Sequence, residues 1–219
     1  MSAREPVLFA LILAAGGSRR LGAPKQLLRH GGETLVQRAL RLAAAACGPR
    51  HLLVVGAEHA RVLEAAGDAV RYFVVNDQWH QGLANSLTLG LACLPADCDG
   101  VLVLLTDQPL VDGRDLARLQ AAWRSRPETI AASRYGGREA ETHAGRGNDG
   151  DADRGRVLGV PAIFPRRLFP ELGTLTGDRG ARPVIERHRD EVVAVDCDHA
   201  ALDVDTPADA AALEAPERD

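Results

Sequence analysis

Aromatic residues are scarce in this sequence, and positive charge is not in excess. Only 4% of the 219 residues are aromatic, and the formal net charge is −4. A protein that binds nucleic acid with its whole surface needs a broad basic field, so the composition argues against a nucleic-acid partner. Local clusters of arginine and lysine are compatible with this total.

Cysteine is also rare, and its spacing is uninformative for metal binding. The four cysteines, at positions 47, 93, 98 and 197, form no CxxC pair and have no histidines at zinc-ligand spacing. This pattern favours reduced thiols over a disulfide framework, and it predicts a cytoplasmic protein.

No apolar run approaches the roughly 20 residues that span a bilayer, so we expect no membrane association. The N-terminal stretch MSAREPVLFALILAA loosely resembles a secretory signal. However, Glu5 offsets Arg4, and the apolar run leads into GGSRR rather than into a cleavage site. We therefore interpret residues 7–13 as a first buried strand.

Short apolar runs alternate with longer amphipathic segments along the chain. The early runs lack strict alternation, as parallel strands covered on both faces do, and lie at 7–13, 51–55, 70–75 and 100–105. Helical patterns lie at 34–46, 58–66, 83–93 and 112–123. The second half adds strands at 160–164 and 191–196 and helices at 166–172, 180–188 and after Pro207. This order predicts an α/β fold with a doubly wound, mostly parallel, Rossmann-like sheet in three α/β/α layers.

Residues 136–159 interrupt the pattern. This stretch, GGREAETHAGRGNDGDADRGRVLG, holds seven glycines and many charges of both signs. It cannot bury enough apolar surface to offset the entropy of ordering it. We expect a flexible glycine-rich insertion at about residues 136–159 within a single domain that spans residues 1–219.

A glycine-rich, cationic segment, LAAGGSRRLGAPKQLL (13–28), follows the first strand directly. Glycines let the backbone approach a ligand, and exposed N–H groups form an anion-binding nest. Arg19, Arg20 and Lys25 add formal positive charge. The spacing fits neither a Walker A loop nor the GxGxxG dinucleotide fingerprint. The segment predicts a polyphosphate site; the plainer alternative is a solvated strand-to-helix turn.

Two acidic positions follow apolar runs and are candidates for binding a metal. Asp107 ends the run GVLVLLTD, and the carboxyl ends of parallel strands border the ligand crevice in open α/β sheets. Asp203 and Asp205 alternate in ALDVDTP and should point to opposite faces, so we choose Asp205 as the partner of Asp107. Carboxylates beside a polyphosphate loop suit Mg²⁺. The alternative is that they cap turns or are solvated.

The first motif resembles the signature LAAGxSxRxGxxKxLL of nucleotidyltransferases with a Rossmann-like, GT-A-like sheet. Later stretches resemble the molybdenum-cofactor cytidylyltransferase branch of the MobA-like NTP transferases: NDQWHQGLANSLTLGL (76–91), LTDQPLV (105–111), GVPAIFPRRLFPEL (159–172), LTGDRGAR (175–182) and VDTP (204–207). This resemblance implies a Mg²⁺-dependent enzyme that transfers CMP from CTP to a phosphorylated acceptor of the molybdopterin type and releases pyrophosphate. A molybdoenzyme or an insertion chaperone would receive the product.

The resemblance also implies roles for individual residues. Lys25, Arg19 and Asp107 would be catalytic, and Asp107 and Asp205 would hold Mg²⁺. The nucleotide would contact Leu13, Ala14, Ala15, Gly16, Gly17, Lys25, Asn76, Gly82, Ser86 and Asp107. The acceptor would contact Gln108, Asp178, Arg179 and Arg182. Guanylyl-transferring relatives usually read LAGG, so LAAG favours CTP, because a methyl group at Ala15 narrows the space beside the base.

Two other functions fit the same motifs. One is nucleotidyl transfer to a sugar phosphate or another small phosphorylated acceptor. The other is a non-catalytic chaperone for the molybdenum cofactor, which would need no pair of metal-binding carboxylates. Among the residues near the presumed nucleotide, Trp79 is expected to pack at the edge of the core and His80 to be a polar turn residue.

Overall fold

The computed structural model describes residues 4–136 and 156–214. The strands in these ranges are β1 (Leu8–Ala14), β2 (Arg29–His30), β3 (Glu33–Thr34), β4 (His51–Val55), β5 (Phe73–Val75), β6 (Gly100–Leu105), β7 (Ile130–Gly136), β8 (Arg156–Pro165) and β9 (Val192–Asp196). The α-helices are α1 (Leu35–Cys47), α2 (His59–Ala66), α3 (Leu83–Ala92), α4 (Gly113–Ser125), α5 (Phe169–Leu172), α6 (Arg182–Arg187) and α7 (Pro207–Glu214).

Seven of the strands form one sheet in the order β5-β4-β1-β6-β8-β7-β9, and β2 and β3 form a separate hairpin. Strand β8 runs antiparallel to its neighbours β6 and β7, whereas the other adjacent strands of the large sheet are parallel. The predicted mostly parallel, Rossmann-like sheet is therefore confirmed.

Strand β1 shows why helices cover both faces of the sheet. Its even-numbered side chains, such as Ile12, belong to a core shared with α1, α2 and α4. Its odd-numbered side chains, such as Leu11, belong to a second core shared with α3, α5 and α6. Successive side chains of a strand point to opposite faces, so a continuous apolar run requires two covering layers. The three-layer α/β/α arrangement follows.

Local sequence fixes where the helices begin. Helix α1 starts at a capping box in which Thr34 and Gln37 exchange side-chain and backbone hydrogen bonds. The predicted N-cap of the last helix is also confirmed, because the Asp209 N–H donates to Thr206 Oγ1 at 3.2 Å. Within the described ranges, every helix is too short or too polar to cross a bilayer.

Two sequence-based predictions need correction in the second half. Strand β7 was not predicted, because only its first three residues, Ile130–Ala132, are apolar before polar Ser133 and Arg134. The predicted 136–159 insertion is too long at both ends, since Gly136 closes β7 and Arg156 opens β8. Residues 137–155, where the rest of that predicted insertion falls, lie outside the described residues.

The topology brings several loops to one edge of the sheet. Strands β1, β4 and β6 are neighbours and parallel, so their carboxyl ends lie side by side. The glycine-rich segment follows β1, Gly56 follows β4, and Asp107 lies two residues after β6. This edge is where an open α/β sheet binds its ligands.

Candidate active site

A cleft of about 440 Å³ opens at the carboxyl ends of β1 and β6. Its walls are the glycine-rich segment, the start of α3 and the turn that follows β6. Among the residues predicted to form the site, those lining it are Leu13, Ala15, Gly16, Gly17, Arg19, Lys25, Gly82, Ser86, Asp107 and Asp178. The sequence-based prediction of a ligand site at this edge therefore coincides with a cleft large enough for a nucleotide.

Lys25 bridges two carboxylates at the cleft. Its Nζ lies 2.5 Å from Asp107 Oδ2 and 3.1 Å from Asp205 Oδ1. Asp205 is near because the Val204 N–H donates to the Asp107 carbonyl at 2.9 Å, which ties residues 203–205 to the end of β6. Asp107 and Asp205, which were predicted to share one metal–triphosphate site with Lys25, thus both contact the Lys25 ammonium.

The charges in this group stabilise one another. Burial acts to lower the pKa of Lys25, but Asp107 and then Asp205 outweigh it and hold that pKa above its ordinary value. Burial acts to raise the pKa of Asp205, but Lys25 and then Arg20 hold it below its ordinary value. Lys25 and Asp205 are therefore both ionised at neutral pH.

Asp107 retains one oxygen suited to a hard cation. Its Oδ2 accepts from Lys25, whereas its Oδ1 is buried and has no hydrogen-bond partner among the described residues. A buried carboxylate oxygen without a partner is costly, and a divalent cation satisfies it. This oxygen of Asp107 therefore suits Mg²⁺ or Mn²⁺, whereas both oxygens of Asp205 accept from Lys25 and Arg20 and would exchange a partner for the ion.

Gln26 shapes the glycine-rich segment from within. Its side chain is only 1% exposed, and its Nε2 donates to the carbonyls of Ala14 at 2.8 Å and Gly16 at 2.9 Å. The Ala57 N–H holds the intervening Ala15 carbonyl at 3.1 Å. In the described structure, the N–H groups of residues 16–19 donate to no protein acceptor. They form a row of donors available to an anion.

The remainder of the segment is held by a left-handed turn. Ser18 has φ +48°, and its Oγ accepts from the Lys25 N–H at 2.9 Å. Arg20 donates to Asp205 Oδ2 at 2.9 Å, and the Arg19 guanidinium lies 5.7 Å from the Trp79 ring centroid. The turn therefore brings all three predicted cations to the cleft.

Sequence reasoning missed several residues that line the cleft. Trp79 and His80 both line it, as do Gln26 and Thr106. Trp79 packs against the second core as expected, but one side of it also faces the ligand space. The sequence did contain a signal for Trp79 and His80. They lie in DQWHQGLANSL (77–87), just before the predicted helix that begins at Leu83.

Asn76 and Gln108, predicted to contact the nucleotide and the acceptor, do not line the cleft, and neither does Ala14. The Asn76 amide is buried, donates to Ser86 Oγ at 2.9 Å and accepts from the Gln78 N–H at 3.0 Å. The Gln108 Nε2 donates to the carbonyls of Val160 and Ala200, both at 3.0 Å. Both amides therefore have a structural role, because they form hydrogen bonds with buried polar groups near the ends of strands.

The predicted acceptor residues Arg179 and Arg182 also lie away from the cleft lining. They donate to the two oxygens of Glu186, at 2.7 and 2.9 Å. Their spacing before Glu186 on and beside α6 allows these exposed ion pairs. Asp178, one residue earlier, is the member of the GDRGAR stretch that reaches the cleft.

A second acidic group, Asp112, Asp115 and His199, has ligand atoms within 4.8 Å of one another. Its oxygens serve other purposes. Asp112 and Asp115 form the capping box of α4, and Asp115 also accepts from Arg118 and contacts His199. The group therefore stabilises the start of a helix.

Residues 10–192 match the family model of the MobA-like NTP transferase domain. The chain belongs to this family. This MobA-like NTP transferase is similar over most of its length to nicotine blue oxidoreductase of Paenarthrobacter nicotinovorans, with 30% identity over 207 residues, 92% of this chain and 93% of that protein. It is 28% identical over 192 residues to the purine catabolism protein PucB of Bacillus subtilis, covering 84% of this chain and 82% of PucB.

Solved structures agree with this membership. The NTP transferase is similar to Rv0371c from Mycobacterium tuberculosis H37Rv, with a TM-score of 0.76 and 31% identity over 96% of this chain and 98% of that one. A manganese complex of Rv0371c gives a TM-score of 0.71 and 29% identity over the same shares of the two chains. These structures share the fold of this chain, and the family model supports the nucleotidyltransferase class.

Proposed function

We propose that this protein transfers CMP from CTP to a phosphorylated acceptor of the molybdopterin type and releases pyrophosphate. The observation that carries the proposal is the position of Lys25 between Asp107 and Asp205, in a cleft where the N–H groups of residues 16–19 donate to no acceptor among the described residues. Family membership supports the reaction class, and the LAAG motif supports the nucleotide.

The reaction needs positioning and charge stabilisation more than proton transfer. A terminal phosphate oxygen of the acceptor attacks the α-phosphorus of CTP, and the bond to the bridging oxygen of pyrophosphate breaks. No general base is required, because a phosphate nucleophile is already ionised at neutral pH. The N–H groups of residues 16–19 act as fixed dipoles toward the phosphates, and Arg19 and Lys25 add positive charge.

Lys25 retains the capacity to bind a phosphate while it contacts both carboxylates. An ammonium group has three N–H donors, and Asp107 and Asp205 accept two of them. The third donor is available to the α-phosphate or to the leaving pyrophosphate. Lys25 would therefore stabilise charge that develops during transfer.

Asp107 and Asp205 are the residues that would hold Mg²⁺. When bound there, Mg²⁺ would neutralise charge on nucleotide phosphate oxygens. The buried Asp107 Oδ1 and the manganese complex of the similar protein Rv0371c both support a divalent cation in this cleft.

The preference for CTP is proposed from the residue beside the base. Ala15 lines the cleft and is 4% exposed. Its methyl group reduces the width available to a base, which disfavours a purine. The molybdopterin-type acceptor is proposed from the motifs at 76–91, 159–172 and 175–182, and the client would be a molybdoenzyme or its insertion chaperone.

We also propose that residues 1–219 act as one nucleotidyltransferase domain in the cytoplasm. One sheet contains strands from Leu8 to Asp196, which supports a single unit. The thiols of Cys47, Cys98 and Cys197 are buried and free in the described structure, which agrees with a reducing compartment.

The test is product formation with a panel of substrates. The purified chain is incubated with Mg²⁺, molybdopterin and CTP, GTP, ATP or UTP, and products are identified by mass spectrometry. We expect a cytidine dinucleotide of molybdopterin and an equal amount of pyrophosphate, and no product with Asp107→Asn. A product formed only when a sugar 1-phosphate replaces molybdopterin would instead support the sugar-phosphate alternative.

A second arm addresses the oxidoreductase named among the relatives, which matches 92% of this chain. Nicotine blue with NADH or NADPH replaces the nucleotide and the acceptor, and oxidation of the reduced cofactor is followed by absorbance. Dye reduction without any nucleotidyl transfer would contradict the proposed function. We expect transfer in the first arm and no reaction in this one.

A further inference from the structure

We infer that Trp79 is a positioning residue that holds the Arg19 guanidinium over the nucleotide cleft. The inference rests on the proposed nucleotide-binding function of that cleft and assigns a role to an aromatic residue that the predicted site did not include. It differs from base stacking, the other role that an indole in a nucleotide cleft can have.

The segment around Trp79 is anchored to a strand of the sheet and to a helix that covers it. The Asn76 N–H donates to the Val55 carbonyl at 2.7 Å, which continues the end of β4. The buried Asn76 amide donates to Ser86 Oγ on α3 at 2.9 Å. The Trp79 N–H then donates to the Asn76 carbonyl at 3.3 Å. Trp79 therefore projects from a turn fixed on both sides.

The side chain of Trp79 lies against the backbone of two glycines. A Cβ atom added at Gly17 would be 2.7 Å from Trp79 Cζ3, and one added at Gly56 would be 2.7 Å from Trp79 Cβ. The absence of side chains at these positions allows the indole to contact the glycine-rich segment two residues before Arg19. This packing restricts the rotation of the ring.

Arg19 is oriented by this ring and keeps its charge. Its guanidinium carbon lies 5.7 Å from the Trp79 centroid, within cation–π distance. Arg20, the next residue, is paired with Asp205 at 2.9 Å. No carboxylate of the described residues forms an ion pair with Arg19. A carboxylate partner would compete with phosphate for the guanidinium, whereas an indole orients the cation without neutralising it.

The experiment uses inorganic tripolyphosphate, which has no base, alongside CTP. Dissociation constants are measured by calorimetry for the native chain, Trp79→Leu, Trp79→Phe, Arg19→Ala and the Trp79→Leu/Arg19→Ala double variant. Removing the cation–π partner of the exposed Arg19 should weaken binding about two- to five-fold. We expect this loss for both ligands in Trp79→Leu and recovery in Trp79→Phe, which keeps an aromatic face.

The double variant separates positioning from other roles. We expect it to bind no more weakly than Arg19→Ala alone, because Trp79 acts through Arg19. Tyr72→Leu serves as the matched control and should bind normally. It removes an exposed aromatic residue that directly precedes the edge strand β5. The inference fails if Trp79→Leu weakens CTP binding but not tripolyphosphate binding, if the two effects add in the double variant, or if the native chain binds neither ligand.

A second measurement leaves Trp79 in place and does not depend on folding of Trp79→Leu. The chain has two tryptophans, and Trp123 is fully buried. We expect Arg19→Ala to change the Trp79 fluorescence and to abolish its response to tripolyphosphate. Unaltered emission in Arg19→Ala would overturn the inference. These titrations report phosphate binding separately from CMP transfer, so failure of the proposed acceptor would be recognised independently.

Discussion

At the scale of single residues, Lys25 is the most informative position in the chain. It is the one lysine in the full sequence, because 25 of the 26 basic residues are arginine. A compact ammonium fits between Asp107 and Asp205 at 2.5 and 3.1 Å, whereas a planar guanidinium presents a wider fork of donors. The geometry therefore explains why this position is lysine in a chain that otherwise uses arginine.

Replacing Lys25 with methionine should reduce kcat/KM for CMP transfer by about 10²–10³, or about 2.7–4 kcal/mol, the range for loss of a key electrostatic donor. Methionine keeps the length of the side chain but removes the positive charge. Steady-state pyrophosphate release measures the effect, and far-UV circular dichroism checks the fold. A kcat/KM within threefold of the native value would contradict the role of Lys25.

Replacing Ala15 with glycine should reduce discrimination against GTP by about tenfold, the effect of one methyl group in a tight pocket. The ratio of kcat/KM for CTP to that for GTP is the measurement. Ala14→Gly is the matched control, because Ala14 is buried behind the cleft and does not line it. An unchanged ratio in Ala15→Gly would show that the base is selected elsewhere.

At the scale of elements, the glycine-rich segment was the best predicted part of the site. Its glycines and cations were visible because they follow a strand directly in sequence. The role of Gln26 was not visible, because its hydrogen bonds to Ala14 and Gly16 depend on how the chain turns back on itself. Site residues that directly follow a strand in sequence could be predicted. Buried amides that support those strand ends could not.

Replacing Gln26 with leucine should lower the free energy of unfolding by about 1–3 kcal/mol, because the buried carbonyl of Ala14 and the partly buried carbonyl of Gly16 lose their donor. The affinity for CTP should fall as well, since the loop N–H groups lose their fixed direction. Urea denaturation and CTP titration measure the two effects. Gln78→Leu, at an exposed position, is the control and should unfold like the native chain. Equal stability of the two variants would contradict the structural role of Gln26.

His188 directly follows α6 and contacts Glu171 of α5. This contact between the two helices depends on pH. Its hydrogen bond to Glu171 at 2.7 Å, with a further contact to Glu191, raises the pKa of His188 above its ordinary value. Arg187 also contacts Glu171, and Arg167 contacts Glu191. A raised folded-state pKa stabilises the protein fully below the unfolded value of about 6.5, and this contribution is lost as pH rises through the folded value.

The variant His188→Gln should therefore be less stable than the native chain at pH 5.5, and the difference should shrink by pH 8.5. Denaturant unfolding at both pH values provides the comparison. His59→Gln, which lies in a different helix, serves as the control. A difference that is constant or grows with pH would show that the His188 charge does not stabilise the fold.

At the scale of the whole molecule, the sequence predicted the layers better than the strand directions. Runs such as β1 and β6 are apolar throughout, which indicates strands covered on both faces. The same pattern does not say that β8 lies antiparallel between β6 and β7, because strand order depends on contacts between distant segments. The backbone hydrogen bond from Val204 to Asp107 brings Asp205 near Asp107, and no local sequence pattern predicts it.

The central claim, that Lys25 and a Mg²⁺ ion held by Asp107 and Asp205 bind the triphosphate of CTP, can be tested through the single lysine. Protein labelled with ¹⁵N-lysine has one side-chain ammonium signal, from Lys25 Nζ. We expect that signal to shift on saturation with Mg²⁺ and CTP, confirmed by calorimetry, and to be altered already in ligand-free Asp107→Asn. A Lys25 signal that is unchanged by saturating Mg²⁺ and CTP would contradict the claim.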